Sequence, residues 1–429
     1  MKKKSSASVD RGVKKTRLAN GVRILSCSMP YLRSVSMGVW VDAGARDEAA
    51  AENGLSHLIE HMIFKGTRRR TAYQIAKEFD AIGGQTNAFT SLENTCYHAK
   101  VLDTHLATMV DILADIFLNS LFDATELDRE RTVILQEIGM IEDSPEDYIH
   151  TLINRQFWGD TSLGRSIVGC RDTVSTFNAD TVRSFFRRLY QPERMVIAIA
   201  GNVSHNRFVD MVAPAFETVA GGNGFPQREA PEAMYGTGVY RRNLEQVHVC
   251  LGTDGMSVTD PRRYTLSLMS TILGGNMSSR LFQEVRERLG IAYSLYCFAN
   301  SHVDTGMFGV YAGVAPGRVE EALETIIAQL RRLKREPVEE AELCSAKEYT
   351  KGNLLLAAES NDNQMVRLAQ NEINFGSYIP MDTVLARIEK VTAEDIRTLA
   401  EDLFRQDRLA LSVLGPIGET VSFDGVLQL

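Results

Sequence analysis

The sequence predicts an α+β protein with two homologous domains, each a mixed or antiparallel sheet covered by helices. The first reason is length, because 429 residues exceed the size of one ordinary domain. The second is that the two halves of the chain align with each other. The third is the order of elements, since strands (residues 34–43 and 95–101 in the first half) followed by long helical stretches favour helices packed on one face of a sheet.

The internal repeat is clearest near the end of each half. Residues 177–204 align with residues 391–418, and each copy has the pattern of an amphipathic helix, a polar turn and an apolar strand closed by glycine. Residues 124–138 align in the same way with residues 339–355. Identical pairs in the first match include Arg183 and Arg397, Leu189 and Leu403, Arg194 and Arg408, and Gly201 and Gly415.

The repeat sets the predicted domain boundaries. The segment between the halves, VAGGNGFPQREAPEAMYGTG, is rich in Gly, Pro and Glu without periodicity, which is typical of an exposed connection. The Lys- and Ser-rich start is expected to be a disordered tail. The predicted segments are the tail at 1–15, the N-terminal domain at 16–218, the linker at 219–238 and the C-terminal domain at 239–429.

Composition limits the function and the location. A formal charge of −8 and a pI near 5.6 give no basic surface for nucleic acid. No apolar run of about 18 residues occurs, so no membrane-spanning helix is expected. The start lacks the apolar stretch of a Sec signal, and six cysteines lie far apart without a CxxC pair, which fits a reducing compartment. The expected location is the cytoplasm, with the mitochondrial matrix as the alternative.

The segment NGLSHLIEHMIF predicts a metal-binding helix that begins after a capping Asn53. His57 and His61 are four residues apart, so both imidazoles leave one face of the helix and can bind one ion. Glu60 projects from the same turn, where a carboxylate can act on water at that ion. A catalytic zinc site normally takes three protein ligands and one open position, so a third ligand must come from elsewhere in the chain.

Two glutamates compete for the place of third ligand. Glu130 and Glu137 lie seven residues apart on the predicted helix 125–141, two turns along one face. Geometry alone leaves the choice open. The carboxylate that does not bind the metal would orient a histidine or tune the site.

The order HxxEH, with a glutamate about 75 residues further on, the duplicated halves and the strand NGVRI at 20–24 resemble the pitrilysin family of inverted zincins, and most closely its mitochondrial processing peptidase-like branch. This resemblance implies the fold of that family and a zinc metalloendopeptidase acting on extended peptides or presequence-like segments. It implies Glu137 as the third zinc ligand, Glu130 as a supporting residue and Glu60 as the general base.

The resemblance also implies residues that bind substrate. The edge strand formed by Asn87, Ala88, Phe89 and Thr90 would pair with the backbone of a peptide. In the second half, Tyr293 would donate to the developing oxyanion and Arg286 would hold the substrate from across a cleft. The positions that repeat His57 and His61 fall at residues 271–275, TILGG, so one zinc ion per chain is expected.

Two other interpretations use the same residues. A related fold with HxxEH occurs in S-ribosylhomocysteine lyases, which are far shorter and use a cysteine as third ligand. The family also includes core subunits that have lost the site, although His57, Glu60, His61 and Glu137 are all intact here. The expected partners are peptide substrates and a second copy of the chain in a homodimer, or an inactive homologue in a heterodimer.

Overall fold

The computed structural model describes residues 12–222, 224–225, 227–419, 422–423 and 425–429. The chain forms two compact units, each built on one sheet. None of the helices within these residues is long and apolar enough to cross a membrane. Unit 1 comprises Met1–Gly139, Ser166–Arg228 and Leu355–Asp382, and unit 2 comprises Met140–Arg165, Glu229–Leu354 and Thr383–Leu429.

The sheet of unit 1 has six strands in the order β1-β2-β6-β3-β5-β4. β2 and β6 pair in parallel, and all the other neighbours are antiparallel. The predicted segments 34–43 and 95–101 correspond to β3 and β5. The strands are β1 (Val13–Arg17), β2 (Arg23–Ser28), β3 (Ser34–Val41), β4 (Gln85–Thr90), β5 (Thr95–Leu102) and β6 (Met195–Gly201).

The sheet of unit 2 repeats this topology with five strands in the order β7-β11-β8-β10-β9. β7 and β11 are parallel and the other pairs are antiparallel, as for β2 and β6 in unit 1. The predicted duplicated α+β fold is therefore confirmed. The strands are β7 (Gly236–Arg241), β8 (Val247–Asp254), β9 (Ala292–Ser301), β10 (Gly306–Val314) and β11 (Ala410–Gly415).

The glycine that closes the matched strands has the same role in both units. Gly201 and Gly415 adopt φ values of 131° and 154°, which side chains rarely tolerate. A Cβ atom at Gly201 would lie 2.2 Å from the carbonyl oxygen of Ser34, and one at Gly415 would lie 2.9 Å from that of Gln246. The chain turns away from the sheet at these positions because glycine alone fits.

Fourteen α-helices accompany the two sheets in the described chain. They are α1 (Leu55–Met62), α2 (Ala72–Ala81), α3 (Leu106–Asn119), α4 (Ala124–Asp143), α5 (Pro145–Trp158), α6 (Arg171–Val174), α7 (Ala179–Leu189), α8 (His205–Phe216), α9 (Arg263–Gly274), α10 (Val319–Arg335), α11 (Glu340–Ala358), α12 (Asn361–Phe375), α13 (Met381–Lys390) and α14 (Ala393–Leu403). The predicted repeat is visible here too, since α7 and α14 precede the matched strands β6 and β11.

Both faces of the first sheet are covered, which corrects the prediction of helices on one face. On one face, Ile197 and Ile199 of β6 pack in the core with α1, α3, α7 and α8. On the other face, Val196 and Ala198 pack with Trp40 and with Met365 of α12. Strands with apolar residues at successive positions need cover on both sides, and β6 is buried along its whole length.

The units also differ from the contiguous halves that the sequence predicts. Helix α5, from the first half of the chain, packs on β8 and β11 and so belongs to unit 2. Helix α12, from the second half, packs on β2, β3 and β6 and so belongs to unit 1. The two helices occupy matching places in the repeat, and each covers the sheet of the other half because that face carries the apolar side chains.

Strands begin within the segments predicted as the tail and the linker. Val13 to Lys15, assigned to the tail at 1–15, belong to β1, and residues 1–11 lie outside the described residues. Lys15 is fixed because its Nζ donates to the buried carboxylate of Glu372 at 2.6 Å. The last residues of the linker at 219–238 likewise form the start of β7, at Gly236.

Candidate metal centre

Helix α1, the predicted metal-binding helix, begins one residue later than the sequence predicts. Its N-cap is Gly54, with φ 103° and no side-chain cap, in place of Asn53. A Cβ atom at Gly54 would lie 2.9 Å from the Cα atom of Gly169, so this close approach requires glycine. The side chain of Asn53 donates instead to Glu48 at 3.2 Å and to the carbonyl oxygen of Ser166 at 2.8 Å.

Glu48 supplies the cap that Gly54 lacks. Its carboxylate accepts from the backbone N–H groups of Gly54 at 2.8 Å and Ser56 at 2.7 Å. These are among the donors that the first turn of a helix leaves unpaired. Glu48 is buried, and burial raises its pKa to about 7 although the hydrogen bonds from Ser56 and Gly54 oppose the shift. No sequence pattern marks Glu48 as a capping residue.

The raised pKa of Glu48 predicts a pH-dependent stability. The stabilisation is fully present below the unfolded-state pKa, 4.5, and is lost as the pH rises through about 7. In metal-free protein we expect Glu48 to lower the free energy of unfolding by about 2 kcal/mol between about pH 5.5 and 8.5. Denaturant unfolding at both pH values measures this, with Glu48→Gln losing the dependence and Glu52→Gln, at a half-buried glutamate nearby, keeping it. The assignment would be contradicted if the free energy of unfolding changed equally between the two pH values in wild type and in Glu48→Gln.

The structure brings together His57, His61 and Glu137. Their ligand atoms lie within 4.8 Å of one another, and this is the one such group of potential ligands found among the described residues. Glu137 Oε2 is 3.6 Å from His57 Nε2 and 3.7 Å from His61 Nε2. Ligand atoms of a tetrahedral zinc at about 2.1 Å lie about 3.4 Å apart, so the donor set fits a zinc ion with little movement.

The protonation of His57 also fits a metal. Burial and the neighbouring His61 lower the pKa of His57 to about 4, so its imidazole is neutral at physiological pH and has a free lone pair. A neutral imidazole is the form that binds metals. Within the described chain, His57 Nδ1 is buried without a hydrogen-bond partner.

Glu130 lies on the other side of His61. It is buried, and its Oε2 accepts from His61 Nδ1 at 3.1 Å. Its Oε1 is 2.6 Å from the Nζ of Lys65. The structure therefore places Glu137 at the two Nε2 atoms and Glu130 where it can orient His61, the arrangement implied by the resemblance.

Glu60, the expected general base, is held by a residue to which the sequence analysis gave another role. Its Oε2 accepts from Thr90 Oγ1 at 2.6 Å. Burial raises the pKa of Glu60, whereas the hydrogen bond from Thr90 lowers it. Thr90 was predicted solely as part of the edge strand. No sequence signal links two residues 30 positions apart on different elements.

The predicted edge strand is β4, which contains Asn87, Ala88, Phe89 and Thr90. It lies at the end of the six-stranded sheet and pairs only with β5. The first half of the strand is exposed. Its second edge is therefore open in the described structure, and an open edge can accept another strand.

Arg286 and Tyr293 lie together in unit 2. Arg286 is in a π-helical segment, Phe282–Arg288, and its guanidinium carbon is 4.8 Å from the centre of the Tyr293 ring and 4.7 Å from that of Phe282. Tyr293 is 75% exposed on β9. Both residues line a cavity of about 530 Å³ with Glu245 and Gln246.

The cysteine-ligand interpretation finds no support in the described residues. Cys96 is buried on the α12 face of the first sheet, with Trp40 and Met365, and burial raises its pKa well above its ordinary value. A neutral, packed thiol does not bind a metal. The metal cluster contains no cysteine.

The fold and the site together define a class of protein. Such proteins have two homologous domains and a candidate zinc site whose ligands all come from one half of the chain. The family model for the insulinase family, peptidase family M16, matches residues 23–171. The model for the peptidase M16 inactive domain matches residues 176–349. The chain belongs to this family, the insulinase or pitrilysin family of zinc metallopeptidases.

Its relatives match over nearly their whole length. A protein of Bacillus subtilis named uncharacterized zinc protease YmxG is 41% identical over 410 residues, which cover 96% of this chain and 100% of the relative. A protein of Streptomyces coelicolor, also named an uncharacterized zinc protease, is 41% identical over 414 residues, 94% of this chain and 90% of its own. A solved protease from Helicobacter pylori shares the fold, with a TM-score of 0.89 and 20% identity over 94% of this chain and 99% of that one.

Proposed function

We propose that the protein is a zinc metalloendopeptidase that hydrolyses peptide bonds in extended peptides or presequence-like segments. One observation carries the proposal: three potential zinc ligands converge beside a half-buried carboxylate, Glu60, that is not part of the ligand set. The names of the relatives support a zinc protease. The proposal includes one zinc ion per chain, held by His57, His61 and Glu137.

The metal would supply the chemistry that side chains lack. When bound, zinc lowers the pKa of a bound water to about 7 and polarises a carbonyl group. In the proposed site His57, His61 and Glu137 would hold the ion, and the carboxylate of Glu137 would offset one of its two positive charges.

Glu60 is the general base in this proposal. It takes a proton from the attacking water and returns it to the leaving amine. Burial raises the pKa of Glu60 towards neutral pH. A carboxyl group with such a pKa can first accept a proton as a base and then donate it as an acid. Thr90 fixes the orientation of the carboxylate by donating to Oε2.

Substrate would bind along the open edge of β4. Backbone groups of Asn87 to Thr90 would pair with an extended peptide, which gives affinity with little demand on side chains. Since Thr90 bonds to Glu60, the end of this strand lies at the general base. In unit 2, we assign Tyr293 to stabilise the oxyanion and Arg286 to hold the substrate.

The direct test is cleavage of a mixed peptide library by the purified protein. We expect products detectable by mass spectrometry, loss of cleavage on adding a chelator, and recovery on adding zinc. Cleavage that persists at full rate after the metal is removed would contradict the proposal. So would the absence of any cleavage by protein with its full complement of zinc.

Thr90 provides a sharper prediction on the general base. Thr90→Val removes the hydrogen bond to Glu60 while preserving the shape of the side chain, and we expect kcat to fall roughly tenfold with KM nearly unchanged. Thr90→Ser keeps the hydroxyl and should retain most activity. Steady-state kinetics on one peptide measures both. The same substitution at Thr86, which lies on the same strand and donates to a backbone carbonyl, is the control.

The homodimer and the cytoplasmic location expected from the sequence remain proposals. A second copy of the chain is the first candidate partner and an inactive homologue the second. Analytical ultracentrifugation of the pure protein distinguishes them, because a homodimer forms without any other chain. A monomer at all concentrations would leave the heterodimer as the surviving proposal.

A further inference from the structure

Lys65 connects to the metal centre through hydrogen bonds. It follows the end of α1, and its backbone N–H donates to the carbonyl oxygen of Met62 at 3.1 Å. Its Nζ lies 2.6 Å from Oε1 of Glu130, whose Oε2 accepts from Nδ1 of His61 at 3.1 Å. Polar contacts therefore run from Lys65 through Glu130 to a metal ligand.

The contacts use both oxygens of Glu130. Its side chain is 8% exposed and that of Lys65 is 32% exposed. In the described part of the chain, the ion pairs of Glu130 are those with His61 and Lys65. A carboxylate with one oxygen bound to an ammonium and the other to an imidazole has a single preferred orientation, and removal of the ammonium would allow it to rotate.

We propose that Lys65 is a positioning residue for the metal centre. By holding Glu130, Lys65 keeps a carboxylate oxygen at Nδ1 of His61. An ionised carboxylate can only accept a hydrogen bond, so Nδ1 carries the proton and Nε2 presents its lone pair to the metal. Partners of this kind orient metal-binding histidines in other proteins. The inference rests on the proposed function, because it takes zinc to be the ion bound.

A purely structural role for Lys65 predicts a different outcome. The ammonium group of Lys65 is on a side chain that is 32% exposed, so water can replace it, and loss of this pair should change the unfolding of the metal-free protein little. The orientation of His61, in contrast, affects the metal directly. Measurements of the stability of the metal-free protein and of its affinity for the metal therefore distinguish a structural role of Lys65 from a positioning role.

The experiment compares Lys65→Met with wild type in competition with a chromogenic zinc chelator. We expect about tenfold weaker zinc binding, a changed visible spectrum of the cobalt-substituted protein and an unchanged unfolding midpoint without metal. Lys65→Arg keeps a cationic donor and should restore most of the affinity. Lys77→Met, at an exposed lysine of α2, is the matched control and should leave affinity and spectrum unchanged.

A double-mutant cycle tests whether Lys65 acts through Glu130. In the Glu130→Gln background we expect Lys65→Met to weaken zinc binding no further, because the residue it positions has already changed. An equal loss in both backgrounds would overturn the proposal, as would unchanged affinity and spectrum in Lys65→Met. A wild-type protein that binds zinc but cleaves no peptide would contradict the proposed function alone, and the affinity comparison would still decide the role of Lys65.

Discussion

Glu60→Gln should abolish most peptide hydrolysis while leaving zinc in place. We expect kcat to fall by roughly a hundred- to ten-thousand-fold, the range that general acid–base catalysis contributes. The reason is that glutamine cannot accept the proton of the attacking water. The proposed ligand atoms belong to His57, His61 and Glu137, so the substitution removes none of them. Its amide can still accept the hydrogen bond from Thr90.

Two measurements on the same sample make this result interpretable. Metal analysis should find equal zinc in wild type and Glu60→Gln, and steady-state kinetics should show the loss in kcat. Glu126→Gln is a matched control on α4, since Glu126 pairs with the exposed Arg129 and lies outside the site. Full turnover by zinc-loaded Glu60→Gln would contradict the assignment of the general base.

The second large effect separates the two glutamates of α4. Glu137→Gln should lose its zinc on dialysis, because two histidines alone provide fewer than the three protein ligands of a catalytic site. Glu130→Gln should keep zinc, with affinity weakened about 10- to 100-fold, because it orients a ligand without binding the metal. Both variants should lose activity, but only Glu130→Gln should recover it when excess zinc is added.

Chelator competition and metal analysis of both variants decide this prediction. The two substitutions are chemically identical and lie on one helix, so each serves as the control for the other. If Glu130→Gln lost zinc and Glu137→Gln retained it, the assignment of ligand and orienting residue would be reversed. Equal affinities in the two variants would contradict both roles.

Local spacing explains how much of the site could be predicted from the sequence. His57, Glu60 and His61 lie on one helix, so their relative positions follow from helical periodicity, which is a property of neighbouring residues. Glu130 and Glu137 are about 10 Å apart along α4. How α4 passes α1 decides which of them lies at the two Nε2 atoms and which lies at Nδ1 of His61, and this is a tertiary feature. Periodicity could not settle that choice, and the family resemblance was needed.

Two contacts of the site were beyond prediction because they join distant parts of the chain. The cap of α1 comes from Glu48, whereas the sequence indicated the adjacent Asn53, a residue type that commonly caps helices. The partner of Glu60 is Thr90 on β4, which is separated from α1 by α2. Neither residue has a sequence pattern that reveals its contact, since both depend on packing.

The sequences of the inner strands of the first sheet indicate that both faces of the sheet are covered. β3 and β6 read SVSMGVWV and MVIAIAG, with apolar residues at successive positions, which is typical of strands covered on both faces. This pattern contradicts a sheet with one open face. It does not identify the covering helix, and the exchange of α5 and α12 between the halves could be seen only in the structure.

The central claim is that one zinc ion per chain, held by His57, His61 and Glu137, is required for peptide hydrolysis. The most direct measurement is a titration of metal-free protein with zinc while the rate of cleavage of one peptide is followed. We expect a rate that rises in proportion to zinc and levels off at one equivalent per chain. Cleavage before any zinc is added, or a rate that stays at zero beyond one equivalent, would contradict it.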